Sequence, residues 1–211
     1  MTTASVKIWG KDVGAVTWIK ERGYALFEYD PSFLTSGLEL SPIHLNLDDA
    51  QPGTIFSFPN LDSWTFSGLP GLLASSLPDS FGNQVIDSWL ARQGRSPNSF
   101  NPVERLCYIG TRGIGALEYI PSIGPNTLEK SVAVEIENLM TLAQDVLSIR
   151  SDLDVHITGT NQQKAEAMLD ILRVGVSAGG MVPKAVIAIN NDGHVLSGQA
   201  SVPEGYDHWI I

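Results

Sequence analysis

The sequence predicts an α+β fold: a β-rich N-terminal subdomain, a helical middle, and a C-terminal β-hairpin that begins a second lobe. Three observations carry that expectation. Short alternating apolar runs separated by turn residues fill roughly the first 60 positions. Apolar residues at helical spacing recur between Asp79 and Arg173. Strand-like alternation returns after Lys184 and is interrupted by Asp192-Gly193, a strong hairpin signal.

In order along the chain, Val6–Trp9 and Gly14–Ile19 flank Gly10-Lys11-Asp12, which reads as a turn. Tyr24–Tyr29 alternates until Asp30-Pro31 breaks it, and Pro42–Leu47 and Thr54–Phe58 read as two more short strands. Together these suggest a small twisted sheet or meander. Gly68–Gly82 is rich in turn formers around an apolar centre and reads as a loop leading into a helix. Asp79-Ser80 offers an N-cap; Val85, Ile86, Trp89 and Leu90 form one apolar face; Gly94 stops the run. Pro102–Cys107 begins a further helix, Gly110–Gly115 is a glycine-rich turn, and Ala116–Ile120 is a strand closed by Pro121. The longest helix is expected from Leu128 to Ile149, where Val132, Ile136, Leu139, Ala143, Val146 and Leu147 keep the helical period. Another covers Asn161–Arg173, with Ala165, Leu169 and Leu172 stacked. Lys184–Ile189 and His194–Ser197 then form the hairpin. The expected division is 1–125 for the first subdomain and 126–211 for the helical segment plus the start of the second lobe.

Composition narrows the function. The chain has 211 residues, 43% of them hydrophobic and 17% charged, which is ordinary for a globular protein. With 13 Lys and Arg against 23 Asp and Glu, the net charge of −10 disfavours direct binding to nucleic acid or to an anionic membrane. The single Cys107 excludes an internal disulfide framework and fits a reducing compartment; a small buried hydrophobe is a better reading of it than a catalytic thiol. No secretory h-region and no apolar run of ~18 residues is present, so the expected location is the cytoplasm.

Three segments and the scattered histidines invite chemistry. Gly110-Thr-Arg-Gly-Ile-Gly115 lacks the lysine of a phosphate loop and is followed by a strand, so a tight turn is favoured. Asp152, Asp154 and His156 alternate and are compatible with a divalent ion, but no fourth ligand accompanies them, and a solvated face is favoured. The four histidines, His44, His156, His194 and His208, fit no nucleophile–base motif. Ser177-Ala-Gly-Gly-Met-Val-Pro-Lys184 is the most informative stretch. Its glycines let backbone N–H groups approach a phosphate, and it opens directly onto a strand. A phosphate cradle and a flexible turn both remain open on physical grounds.

Several of these segments resemble the HipA family, the serine/threonine kinase toxins of bacterial toxin–antitoxin modules. Gly71–Gly82 resembles the family's "LPDSWG"-type phrase, and Arg112–Pro121 its "GALxFxP" segment. Gly175–Ala185 resembles its "SAGGxxPKA" loop, and Gly205–Ile211 the phrase leading to its ATP-binding lysine. The segments occur in the family's order. The resemblance implies a kinase that uses ATP and Mg²⁺ to phosphorylate a cytoplasmic protein, such as a glutamyl-tRNA synthetase, and that is neutralised by a HipB-like, DNA-binding antitoxin. It implies that Gly179, Gly180, Met181, Val182, Pro183 and Lys184 cover the ATP phosphates, and that Ser177 is an autophosphorylation site. A phosphate on Ser177 places close to two negative charges where ATP phosphates would lie.

Two departures accompany the resemblance. Met181-Val182 stands where the family more often has a small residue followed by a polar or basic one. The family's ATP-binding lysine is expected after Ile211, and its catalytic and metal-binding carboxylates have no counterpart in these residues, so the chain alone is expected to be inactive and to hold no cofactor tightly. A free-standing, non-catalytic regulator of a split system is the alternative.

Overall fold

The computed structural model describes residues 1–124, Ala133 and 184–211; the helices expected over Leu128–Ile149 and Asn161–Arg173 lie outside the described residues. In chain order, the first elements are β1 (Thr2–Ile8), β2 (Lys11–Ile19), β3 (Tyr24–Tyr29) and β4 (Ile55–Ser57). Two one-turn helices follow, α1 (Ser63–Phe66) and α2 (Gly71–Ala74), then α3 (Ser80–Arg92), α4 (Pro102–Ile109) and β5 (Leu117–Ile120). The last described elements are β6 (Val186–Asn190), β7 (Val195–Ser197) and β8 (Tyr206–Ile210). The fold is α+β, with two compact units: Met1–Leu77 with Phe100–Ile123, and Pro78–Ser99 with Gly124–Ile211.

The first unit is built on a five-stranded antiparallel sheet in the order β4-β3-β2-β1-β5. The expected meander is present, and β5 returns to pair with β1. Period-two alternation decides its inner face: Ala4, Val6, Ile8, Ala25, Phe27, Tyr29, Leu117 and Tyr119 are all buried. Helix α4 packs on β1, β2 and β5 and buries Val103, Leu106, Cys107, Tyr108 and Ile109. Its start is held by a capping box in which Asn101 accepts from the Glu104 amide at 3.0 Å and the Glu104 carboxylate accepts from the Asn101 amide at 2.7 Å.

The sheet departs from simple alternation at one place. Val6 pairs with Gly14 but Lys7 pairs with Asp12, so Val13 is an extra residue in β2. This bulge lets Val13 and Val16, three positions apart, both be buried. Gly14 beside it is required by space, since a Cβ there would stand 2.2 Å from the Glu28 carbonyl oxygen. The preceding turn is Trp9-Gly10, not Gly10–Asp12: both residues have positive φ, 48° and 75°, as a two-residue hairpin loop of the primed type demands. Lys11 and Asp12 belong to β2, and Asp12 forms an ion pair with Lys7 at 2.6 Å.

The strand expected at Pro42–Leu47 is absent; the segment forms turns and runs into a one-turn 3₁₀ helix at Leu47–Asp49. Side chains satisfy its backbone in place of a neighbouring strand. The Glu39 carboxylate accepts from the amides of Ser41 at 3.1 Å and Leu47 at 2.9 Å, and Asn46 accepts from the Asp48 amide at 2.8 Å. The buried Tyr29 hydroxyl donates to the Leu45 carbonyl at 2.7 Å. The Gly68–Gly82 region, expected as a loop leading into a helix, does lead into α3 but also contains the short helix α2.

In the second unit, α3 begins at the expected N-cap, with the Asp79 carboxylate accepting from the Gly82 amide at 2.8 Å. It ends in a Schellman motif: Gly94 has φ +68°, its amide bonds the Ala91 carbonyl, and the Arg95 amide bonds the Leu90 carbonyl, each at 2.9 Å. Phe81, Val85, Ile86 and Leu90 form its buried face. The same unit holds a three-stranded antiparallel sheet in the order β7-β6-β8, and Ala133 forms an isolated bridge to Leu196.

Candidate functional site

The sequence directs attention to the entry of β6. Ser177, Gly179, Gly180, Met181, Val182 and Pro183 lie outside the described residues. Lys184 is described: it is half-buried and stands immediately before Ala185. Ala185 and Ile211 exchange both backbone hydrogen bonds, at 2.9 and 3.0 Å, which extends the β6–β8 pairing by one residue to the position next to Lys184. The lysine is therefore anchored at the root of a regular ribbon.

The ribbon itself has a compact inner strand. Ile187 in β6 is fully buried and packs against Ala185, Ile189 and Val195. Just past β7, the Gly198 amide donates to the Val186 carbonyl at 2.9 Å, and a Cβ at Gly198 would stand 2.7 Å from the carbonyl carbon and oxygen of Ile187. Glycine at 198 thus allows the two backbones to meet. The hairpin tip is organised by Asn190, whose side-chain oxygen accepts from the amides of Asp192 at 3.1 Å and His194 at 2.8 Å, while its carbonyl accepts from Gly193 at 3.0 Å. The Asp-Gly signal identifies this turn in the sequence; the contribution of Asn190 is not visible there, because it needs the side chain folded back over three residues. Among the described residues β8 is an edge strand, and its Trp209 and Ile210, with Ile211 just after it, are about half exposed.

The other candidates behave as structural features. The Gly110–Gly115 segment is a turn between α4 and β5. Its arginine, Arg112, points inward: it is 6% exposed, donates to the Tyr108 carbonyl and places its guanidinium carbon 5.1 Å from the Tyr108 ring centroid. Cys107 is fully buried, and burial, reinforced by the charge of Glu104, pushes its thiol up to about 11. It stays protonated at neutral pH and is unsuited to nucleophilic work. His44 is exposed and lies edge-on to Phe58, with the ring centroids 6.2 Å apart. Asp152, Asp154 and His156 lie outside the described residues, and among the described residues no three His, Cys, Asp or Glu side chains are grouped to hold a metal ion. No helix among the described residues is long and apolar enough to cross a membrane.

The fold and the site define an α+β protein with two parts: a bulged five-stranded meander clasped by one helix, and a three-stranded ribbon entered through a lysine. The family model of the HipA N-terminal domain matches residues 4–120, from within β1 through the last residue of β5. That is more than half of the chain, and the chain belongs to this family. Membership sets it in the family's toxin–antitoxin context, in which the partner is in general an antitoxin of HipB type. No curated protein matches the chain. Of the segments that carry the resemblance, Gly71–Gly82 lies within the match and Arg112–Pro121 all but its last residue; Gly175–Ala185 and Gly205–Ile211 lie beyond it.

Proposed function

We propose that this chain is the N-terminal part of a HipA-like serine/threonine protein kinase toxin, in which residues 179–184 cover the phosphates of ATP and β6–β8 begin the nucleotide-binding lobe. The observation that carries the reading is the position of Lys184. In the sequence a glycine-containing segment leads through Lys184 into an antiparallel ribbon, and protein kinases likewise cover the ATP phosphates with a glycine-rich loop joined to a strand. Family membership supports it independently, because it rests on residues 4–120 and not on the loop. Ser177 is the autoregulatory phosphosite in this reading, since phosphate there occupies the space of the ATP phosphates and repels them. Mg²⁺ enters with ATP. The whole protein phosphorylates a cytoplasmic target, such as an aminoacyl-tRNA synthetase, and is neutralised by a HipB-like antitoxin.

Photoaffinity labelling with an azido-ATP, followed by peptide mapping, tests the nucleotide site. Label in peptides from 177–190 or 205–211, competed by ATP and reduced by Lys184→Ala, is the expected result. Label confined to residues 1–120 overturns it. Incubating the chain with radiolabelled ATP and a glutamyl-tRNA synthetase tests the activity. In this reading no transfer is expected from the 211 residues alone, because the kinase's catalytic base belongs to its other lobe.

A second reading is a non-catalytic regulator of a split system, with which a match to the family's N-terminal domain alone is equally compatible. The labelling experiment separates the two: a regulator of this kind has no use for ATP and remains unlabelled.

A further inference from the structure

We draw no further inference here: the strongest candidate, the outer edge of the Tyr206–Ile210 strand with Trp209, Ile210 and Ile211 about half exposed, is an unpartnered apolar surface, and nothing in the structure shows what covers it.

Discussion

The Arg112 guanidinium lies over the ring of Tyr108 and donates to the carbonyl of the same residue. Tyr108 is in the last turn of α4, where carbonyls lack helical partners, so the arginine caps the helix and places a cation at the negative end of its dipole. One side chain thereby ties the turn before β5 to the helix that covers the sheet.

Removing this contact should unfold the first unit more readily. Arg112→Ala is expected to cost about 2–3 kcal/mol, from a charged hydrogen bond and a desolvated cation–π contact. Arg112→Lys should recover less than half of that, because an ammonium cannot both stack flat on the ring and reach the carbonyl. Urea unfolding followed by tryptophan fluorescence measures both. Equal midpoints for Arg112→Lys and the parent chain would show that charge alone matters.

Two glycines of the second unit separate steric from conformational cost. Gly198→Ala forces a Cβ against the Ile187 backbone at 2.7 Å, and backbone cannot yield as a side-chain tip can. The expected cost is about 1–3 kcal/mol, read as faster amide hydrogen exchange across Val186–Ala188. Gly193→Ala meets nothing within 4 Å but has φ +80°, so it should cost only the left-handed penalty of about 1–2 kcal/mol, confined to the hairpin tip. Exchange in Val186–Ala188 unchanged by Gly198→Ala would show that the sheet absorbs the extra carbon.

How much of the fold and site is legible in the sequence follows from the range of the interactions involved. Tyr24–Tyr29 is a strand with the expected bounds, and Asp79 and Gly94 delimit α3 as expected, because alternation and caps are local signals. Pro42–Leu47 misleads because its backbone is satisfied by the side chains of Glu39 and Tyr29 and by the Ser41 carbonyl, none of which an apolar alternation reveals. The first turn is displaced by the bulge at Val13, which depends on the register between two strands. At the site, the hairpin is legible from its Asp-Gly turn. Gly198 is not, since its need for glycine arises from an approach to Ile187 eleven residues away. The buried role of Arg112 is hidden for a similar reason: an arginine between glycines reads as exposed until a tyrosine ring is placed beneath it.

Asn101 joins two elements through one amide group. Its oxygen caps α4, and its Nδ2 donates to the Thr2 hydroxyl of β1 at 3.0 Å. Asn101→Ala removes both bonds and should lower stability by about 1–2 kcal/mol. Asn101→Asp keeps the cap acceptor, adds favourable charge at the helix start, and loses only the donor to Thr2, so it should cost less. Urea midpoints in which the aspartate variant is as unstable as the alanine variant would assign the stability to the Thr2 bond and not to the cap.

Alkaline pH should expose the burial of Cys107. Its thiol ionises at about 9 in a solvated chain and is pushed up to about 11 in the fold, by burial first and Glu104 second. Between these values the unfolded chain releases the proton and the folded one keeps it, so unfolding gains free energy as pH rises. The contribution of this group is therefore fully present below about pH 9 and lost progressively towards about pH 11. Tyr29, pushed up from 10.0 to about 12 by burial and then by Glu39, adds a second loss at higher pH. Urea midpoints taken from about pH 7 to 11 should fall in the parent chain and fall less steeply between about 9 and 11 in Cys107→Ala, after a constant offset for the lost sulfur. A disulfide reagent at about pH 8 should leave the native thiol unmodified and react at once on unfolding. Parallel pH profiles for the two chains, or rapid modification of the native protein, would show that the thiol is in contact with water in the fold.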